Sequence, residues 1–383
     1  MTSLLPVYRR SNITIARGEG VYLYAPDGTC YLDFASGIAV NALGHTHQHL
    51  VAALKDQADK LWHCSNMYHT EGLHRFADRL VAASFADKVF FCNSGSEAVE
   101  CGIKIIRKAS QPKNRIITFE GGFHGRTLAC ISAGGNAIAR EGYEPLLDGF
   151  DRVEFNDLAA AEAAITPHTG GILVEAIQGE GGVRVASVEF LRGLRSLCDQ
   201  RGLLLFLDEV QAGMGRTGKL FAYEHAGITP DIVTVAKGIG NGFPLAACLT
   251  TDEAASSMTP GTHGSTYGAN PLAMAVGNAV LDVMLEEGFF AHVSQMGEAL
   301  KGGLEDVQRD FPHIIAEVRG QGLLLGIRTH MPHYALAENL RAHGLLTSPA
   351  ADQVIRIIPP LIVSSKHIAE ALAILRDVCE KTI

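Results

Sequence analysis

The stretch that decides the fold is residues 203–244, LLLFLDEVQAGMGRTGKLFAYEHAGITPDIVTVAKGIGNGFP. It opens with an unbroken apolar run, Leu203 to Leu207, which lies between Gly202 and a pair of acidic residues. A run this short is typical of a strand that is buried on both faces. A second apolar run, Ile232 to Val235, predicts another strand, which ends just before Lys237. Buried strands of this kind indicate an α/β fold with a mostly parallel sheet.

The ends of these two strands carry a carboxylate and a lysine. Asp208 follows the first strand and Lys237 the second. Because ligands of open α/β sheets bind at the carboxyl ends of strands, both groups are candidates for one site. A lone lysine at a strand end is most often simply solvated. Here three glycines follow within five residues and leave room for a bulky ligand. A desolvated lysine suits Schiff-base chemistry, and pyridoxal phosphate needs such a lysine together with an acid at its ring nitrogen.

LDEVQAGMGRTG followed by AKGIGNGFP resembles the class III (ornithine-type) pyridoxal-phosphate aminotransferases, and the similarity extends over nearly the whole chain. The resemblance implies a fold-type-I enzyme with a large cofactor-binding domain at 46–270. A smaller α+β domain would combine 1–45 with 271–383. Lys237 would carry the cofactor as a Schiff base and move protons, and Asp208 would pair with the pyridine nitrogen.

The same resemblance implies further cofactor contacts and a homodimer. Glu209 and Val210 continue the cofactor-binding segment, and Gln211 lies near the phenolic oxygen of the cofactor. Ser265, a candidate substrate contact, and Thr266 are placed across a subunit interface. Thr266 would bind the phosphate in the partner's site, so the active sites would lie at the interface.

A second candidate site follows the strand predicted at Lys88 to Cys92, where a turn of small residues, NSGSE, leads into a helix. Free backbone N–H groups and the helix dipole at such a turn bind anions. The pattern fits an ordinary capped helix equally well, with Ser94 as the cap and Glu97 three residues later. In the family, Gly95 and Ser96 at this turn hold the cofactor phosphate.

Candidate substrate contacts are spread along the chain. Phe123 and Arg126 in EGGFHGRT could be an ordinary core residue and an ordinary surface residue. The resemblance instead has Phe123 stack on the cofactor ring and Arg126 bind a substrate carboxylate. Arg356 interrupts the apolar run VIRII and therefore needs an acid partner. By resemblance that partner is Glu180, which covers Arg356 when no dicarboxylate is bound. Tyr22 is a further candidate, whose contact would favour a free α-amino acid.

Composition limits the classes of function. The chain has 383 residues, 47% of them hydrophobic, which is enough for a large core in two domains. A net charge of −9 with no basic patch argues against nucleic-acid binding. No apolar stretch approaches the roughly 18 residues of a membrane span, and MTSLLPVYRRSN predicts a mature N-terminus. Eight cysteines without CxxC pairs are typical of a reducing cytoplasm.

Two local patterns suggest other sites. His45, His47 and His49 alternate, but no acid or cysteine accompanies them at metal-ligand spacing, so no metal is expected. GMGRTGK fits seven positions of a phosphate-binding P-loop. Leu220 stands where the eighth position needs serine or threonine, which disfavours nucleotide binding.

The helix and hairpin pattern completes the prediction. Helices are expected at 48–62, 190–201 and 364–381, with one long helix at about 272–308. Hairpins are expected at the turn Pro26-Asp27-Gly28 and around Gly320.

Within the family, the sequence most closely resembles the acetylornithine-type branch. The resemblance implies transfer of an amino group from N2-acetylornithine to 2-oxoglutarate, giving N-acetylglutamate 5-semialdehyde and glutamate in arginine biosynthesis. Ornithine, succinylornithine, succinyl-diaminopimelate and 4-aminobutyrate are alternative donors. An aminomutase or racemase would share the same cofactor frame, and a nucleotide-binding regulator would be a non-enzyme alternative.

Overall fold

The computed structural model describes residues 3–382. Met1, Thr2 and Ile383 lie outside the described residues. The predicted small domain includes all three, and the predicted mature N-terminus includes Met1 and Thr2. In chain order the strands are β1 Arg17–Glu19, β2 Tyr22–Tyr24, β3 Cys30–Asp33, β4 Lys88–Cys92, β5 Arg115–Phe119, β6 Phe150–Val153, β7 Thr169–Val174, β8 Ile177–Gln178, β9 Arg184–Val185, β10 Leu204–Asp208, β11 Ile232–Val235, β12 Ala246–Thr250, β13 Ile315–Gln321, β14 Leu324–Thr329, β15 Leu345–Leu346, β16 Ser348–Pro349 and β17 Val354–Ile357.

The helices lie between and after these strands. They are α1 Ser36–Ala39, α2 Gln48–Ala58, α3 Glu71–Ala82, α4 Gly95–Ala109, α5 Leu128–Ala133, α6 Leu158–Ala163, α7 Val188–Arg201, α8 Asp252–Ala255, α9 Pro271–Met284, α10 Phe289–Asp310, α11 His333–Ala342 and α12 Ser365–Glu380. Within residues 3–382, no helix combines the length and the apolar character that a membrane crossing requires.

A seven-stranded sheet in the order β4-β12-β11-β10-β7-β5-β6 forms the centre of the fold. Its pairs are parallel except where β12 runs antiparallel to β11 and β4. In β10, Phe206 belongs to the apolar cluster around α4, while Leu205 and Leu207 belong to the cluster that contains α7. The strand is therefore buried on both faces, and the predicted α/β class with a mostly parallel sheet is confirmed.

Register places the two predicted strand ends side by side. Asp208 is the last residue of β10 and lies opposite Thr234 of β11, three residues before Lys237. The carboxyl ends of β10 and β11 therefore meet at one edge of the sheet, because the two strands are parallel.

Smaller sheets contain residues from both ends of the chain. β1, β2, β3 and β15 form one sheet, in which β15 pairs parallel with β3. β13, β14, β17 and β16 form an antiparallel sheet, and β8 pairs with β9. Arg356 thus lies on a central strand of a sheet separate from the large one.

Several predicted element bounds were wrong. The long helix is two helices, α9 and α10, because Gly288 between them adopts a left-handed backbone with φ of 88°. The helix predicted at 48–62 ends at Ala58. The hairpin expected around Gly320 is confirmed as the β13–β14 pair, with its turn two residues later at Gly322, where φ is 58°.

The segment after β3 has an unusual backbone. Ser36, Ile38 and Ala39 in α1 have φ values of 42°, 65° and 64°, which is left-handed. Asp33 supports this turn, since its Oδ1 accepts hydrogen bonds from the N–H groups of Ala35 and Ser36 at 3.1 and 2.8 Å.

The alternating histidines do not converge on one point. His45 Nε2 lies 2.8 Å from Asp33 Oδ2, and His49 Nε2 lies 2.9 Å from Asp282 Oδ2. No group of three potential metal ligands is found among residues 3–382.

Candidate active site

A cavity of about 320 Å³ opens at the carboxyl edge of the large sheet. It is built from the start of α4, the turn after β5 and the ends of β10 and β11. Its lining comprises Val40, Asn93, Ser94, Gly95, Ser96, Phe123, His124, Gly125, Arg126, Asp208, Val210, Ala236, Lys237, Gly242, Phe243, Pro244 and Leu245. The predicted lysine, acid, aromatic ring and small-residue turn therefore share one cavity.

Asp208 is buried and held in a fixed orientation. Its Oδ2 lies 2.8 Å from Nδ1 of the buried His124. Its Oδ1 accepts hydrogen bonds from the Val210 N–H at 3.0 Å and from Thr234 Oγ1 at 3.3 Å. A carboxylate held in this way can present a fixed negative charge to a cationic group in the cavity.

Lys237 is partly buried just after β11, in a left-handed backbone conformation with φ of 51°. Desolvation and the charge of Arg356 lower the pKa of its amine to about 8. The negative charges of Asp208 and Glu175 raise that pKa and so partly oppose this shift. The amine is therefore partly neutral near physiological pH, as a nucleophilic or proton-transferring lysine must be.

Glu175 is a second buried acid near Lys237. It accepts a hydrogen bond from the Phe123 N–H at 2.8 Å. Burial, and then the charge of Asp208, raise the pKa of Glu175 well above its usual value. Glu175 is therefore driven towards its neutral form.

The NSGSE turn begins α4 with the expected cap. Ser94 Oγ accepts a hydrogen bond from the Glu97 N–H at 3.3 Å, and Glu97 Oε2 accepts one from the Asn93 N–H at 2.9 Å. A Cβ added to Gly95 would lie 2.9 Å from Val210 Cγ1, so the turn packs closely against the end of β10. The capped-helix interpretation is confirmed. The first residues of this 15-residue helix also line the cavity, as an anion site requires.

The turn after β5 brings an aromatic ring and a cation to the cavity. Phe123 and Arg126 both line it, and the Arg126 guanidinium carbon lies 5.3 Å from the centre of the Phe123 ring. The Arg126 N–H donates to Ser96 Oγ at 3.2 Å, which ties this turn to the α4 turn. Arg126 is exposed, so its guanidinium is accessible to an incoming carboxylate.

Arg356 is 1% exposed and is paired with Glu180 at 2.9 Å between Nη2 and Oε2. Its Nη2 also donates to Ser348 Oγ at 3.0 Å, and its Nη1 donates to Gln211 Oε1 at 3.2 Å. Its Nε has no hydrogen-bond partner among residues 3–382. Desolvation lowers the pKa of the guanidinium, and Glu180 opposes that shift.

Several predicted site residues do not line this cavity, namely Tyr22, Glu180, Glu209, Gln211, Ser265, Thr266 and Arg356. Both carboxylate oxygens of Glu209 accept backbone hydrogen bonds, from the N–H groups of Ala222 at 2.7 Å and Tyr223 at 2.8 Å. Glu209 therefore holds the loop that follows β10. The Tyr22 hydroxyl donates to Glu370 at 2.8 Å, and Tyr22 does not line the cavity.

Ser265 and Thr266 lie on the loop before α9. Ser265 Oγ is 3.3 Å from Asn93 Nδ2, next to the α4 turn, whereas Thr266 is exposed. The described chain therefore brings this loop to the edge of the site without enclosing Thr266.

Sequence reasoning missed two residues at the centre of the site. His124 was overlooked, although it stands between Phe123 and Arg126 in the same turn. No role was assigned to Glu175 from the sequence. The usable signal was their position, since each follows a buried strand at the sheet edge where Asp208 lies.

The site fits pyridoxal phosphate on four structural grounds. It has a desolvated lysine, an oriented carboxylate, an aromatic face and a helix N-terminus that can hold a phosphate. Lys237, Asp208, Phe123 and the Gly95–Ser96 turn could therefore hold the ring, its nitrogen and its phosphate.

Comparison with known proteins gives the same family. The class-III aminotransferase family matches residues 6–379. An acetylornithine aminotransferase of Agrobacterium fabrum (strain C58 / ATCC 33970) is 55% identical over 97% of this chain and 94% of its own length. A succinylornithine transaminase of Yersinia enterocolitica is 45% identical, with 99% and 96% covered.

A solved structure extends the similarity to the fold. The crystal structure of the ornithine aminotransferase from Toxoplasma gondii ME49 superimposes with a TM-score of 0.96 at 28% identity. The superposition covers 99% of this chain and 93% of that one. With the family match, the cavity and the fold in agreement, the chain belongs to the class-III aminotransferases, fold-type-I enzymes that depend on pyridoxal phosphate.

Proposed function

We propose that this aminotransferase transfers the terminal amino group of N2-acetylornithine to 2-oxoglutarate, as a step of arginine biosynthesis. The observation that carries the proposal is the buried Arg356, placed near Lys237 and covered by Glu180. Such a pair offers a carboxylate site when a dicarboxylate displaces Glu180, and a neutral surface when another substrate is bound.

The chain's own residues have separate parts in this proposal. Pyridoxal phosphate, when bound, supplies the electron sink that makes a proton on the carbon bearing the amine removable. Lys237 attaches the cofactor and carries that proton, for which a pKa of about 8 is suitable. Asp208, oriented by His124, keeps the ring nitrogen protonated. Gly95 and Ser96 hold the phosphate.

The remaining contacts position the ring and the substrates. With the cofactor bound, Phe123 would stack on the ring, Val210 would lie against it, and Gln211 would lie near its phenolic oxygen. Arg126 binds the carboxylate of the amino donor, and Arg356 binds the α-carboxylate of the oxo acid. Two carboxylate sites of this kind suit a ping-pong reaction, in which donor and acceptor occupy the cavity in turn.

We also propose a homodimer in which Thr266 reaches the partner's phosphate site. Large apolar side chains are exposed beside its loop, with Trp62 65%, Met67 78% and Tyr267 65% exposed. Asn66 Nδ2 donates to Ser265 O at 3.0 Å, which connects this apolar segment to the loop. A second copy would bury this surface.

Two further features are proposed. The large domain comprises 46–270, and the small domain combines 1–45 with 271–383, which the shared sheet of β3 and β15 supports. A cytoplasmic location is supported by the eight cysteines, all of them free.

An N-acylated donor is favoured over free ornithine. A Tyr22 contact would have favoured a free α-amino acid, but the Tyr22 hydroxyl is hydrogen-bonded to Glu370 away from the cavity. Succinylornithine is the second candidate donor, because the Yersinia succinylornithine transaminase is similar over nearly its whole length.

A panel of amine donors with 2-oxoglutarate tests the proposal. kcat/KM should be highest for N2-acetylornithine, lower for succinylornithine, and lowest for ornithine, 4-aminobutyrate and succinyl-diaminopimelate. A preference for ornithine would overturn the donor assignment. Turnover of a donor without any oxo acid would identify an aminomutase or racemase instead.

A further inference from the structure

We propose that Arg319 is a positioning residue that fixes the loop at 179–185, so that Glu180 stays over Arg356. This inference rests on the proposed role of Glu180 as the cover of the oxo-acid site. Arg319 lies on β13, and within the described chain none of its hydrogen bonds or ion pairs involves Arg356. Any effect on Arg356 must therefore pass through the loop.

The loop is attached to the C-terminal sheet through its backbone. Glu180 O accepts a hydrogen bond from the Ala351 N–H at 3.0 Å. Two residues later, Gly182 O accepts one from Arg319 Nη1 at 3.1 Å. The backbone on either side of Gly181 is thus fixed, while the Glu180 side chain, 33% exposed, retains freedom to move.

Arg319 joins the loop to two acids at once. Its Nη1 lies 2.7 Å from Asp352 Oδ2, and its Nε donates to Glu317 Oε2 at 2.8 Å. Its side chain is only 17% exposed. A planar guanidinium can make all three contacts in one orientation, which a lysine cannot.

The loop needs this attachment because its backbone is strained. Val183 is fully buried yet adopts φ of 53°, a left-handed conformation that β-branched residues rarely occupy. Such strain persists only where the surrounding structure holds it. Val183 packs against Gly326 of β14, where an added Cβ would lie 2.8 Å from Val183 Cγ2. Arg319 and Val183 together fix the loop to the sheet that carries Arg356.

Loosening the loop should leave Arg356 uncovered for more of the time. Glutamate carries a second carboxylate and benefits from an uncovered Arg356, whereas an N-acylated ornithine does not. The measurable quantity is the specificity ratio, defined as kcat/KM for glutamate divided by kcat/KM for N2-acetylornithine in the amine half-reaction.

The experiment compares Arg319→Met with Glu180→Ala and with the double variant, all as holoenzyme. Arg319→Met should raise the specificity ratio about fivefold, as expected for loss of a partly exposed ion-pair contact. Glu180→Ala should raise it further. In the Glu180→Ala background, Arg319→Met should have no additional effect, because both changes act on one cover.

Arg328→Met is the matched control. Arg328 shares Glu317 with Arg319, at 3.3 Å, but lies on β14 and, among residues 3–382, has no hydrogen bond to the loop. It should leave the specificity ratio unchanged. Asp352→Asn is the second variant should Arg319→Met fail to fold. It removes the negative charge that pairs with Arg319 but does not change Arg319 itself, and asparagine tolerates the left-handed backbone at 352. It should raise the ratio in the same direction.

The results separate the positioning role of Arg319 from the proposed role of Glu180 as the cover of Arg356. If Glu180→Ala raises the ratio while Arg319→Met and Asp352→Asn do not, the positioning role is wrong and the cover stands. If Glu180→Ala also leaves the ratio unchanged, the cover itself is wrong. An equal rise in Arg328→Met, or an additive rise in the double variant, would show that Arg319 does not act through Glu180.

Discussion

Lys237 combines a desolvated amine, a left-handed backbone and a pKa of about 8. Below that pH its amine is protonated and cannot attack the aldehyde of the cofactor. We expect the rate of covalent attachment of pyridoxal phosphate to the apoprotein to rise about tenfold per pH unit up to pH 8, and to level off above it. Absorbance at pH 6 to 9 measures this rate, and a rate independent of pH would contradict the burial argument.

The identity of the attachment residue is tested separately. Borohydride reduction of the holoenzyme should fix the cofactor covalently, and peptide mapping should find it on Lys237. Lys237→Ala should still bind the cofactor non-covalently and should lose activity by orders of magnitude, because the covalent link and the proton carrier are both absent. A reduced adduct on any other lysine would remove Lys237 from the mechanism.

Asp208 is the acid that should hold a charge beside the ring. Its contact with His124 Nδ1 at 2.8 Å fixes its orientation. A charge-assisted hydrogen bond from a protonated ring nitrogen to the Asp208 carboxylate would be worth about 1.5–3 kcal/mol. Asp208→Asn removes the charge with little change of shape and should lower kcat by at least about tenfold, while the protein stays folded. Single-turnover kinetics measure this loss, and near-normal kcat would assign the role to another acid such as Glu175.

At the scale of elements, α4 packs closely against the end of β10, so replacing Gly95 and replacing Gly72 by alanine should affect cofactor affinity differently. Gly95→Ala places a Cβ 2.9 Å from Val210 Cγ1, so the turn must shift away from the phosphate. Gly72→Ala in the first turn of α3 meets only an ordinary contact of 3.7 Å with Met274 Cβ. We expect Gly95→Ala to weaken the affinity for pyridoxal phosphate by about tenfold or more, as measured by fluorescence titration.

Gly72→Ala serves as the control, since replacing glycine in a helix should keep the affinity and stabilise the fold by about 0.4–1 kcal/mol. Equal affinity for the cofactor in both variants would show that the α4 turn does not hold the phosphate.

At the scale of the whole molecule, the proposed dimer predicts complementation between two defective chains. Lys237→Ala disables its own site, and Thr266→Glu sets a negative charge against the phosphate in the partner's site. Each homodimer should be nearly inactive. Refolding both variants together in equal amounts makes about half of the dimers mixed, each with one intact site, so activity should return to about a quarter of wild type.

The mixing result has one clear alternative. If Thr266 served the site of its own chain, every subunit would bring a defect to its own site, and mixing would restore nothing. Ser265 near Asn93 makes this a real alternative geometry, so the experiment decides the interface placement.

The sequence by itself determined the strands and the chemistry at their ends. β10 and β11 are apolar runs between glycines, prolines and charged residues, and such local patterns fix strand type and burial. The residues of 203–244 also carry the family resemblance, so the lysine, the acid and the cofactor class follow from the order of the amino acids alone. The break at Gly288 was missed because a glycine inside a helical pattern does not show by itself whether its backbone becomes left-handed.

The tertiary structure decided which side chains meet. His124 and Asp208 are 84 residues apart, and Arg319 reaches the loop at Gly182 across 137 residues. No local pattern encodes such distances, because they depend on strand order and on how the sheets pack. For the same reason the sequence did not show that Glu209 contacts the backbone at 222–223 or that Tyr22 contacts Glu370. Burial then sets the pKa of Lys237, and burial is a property of the folded chain alone.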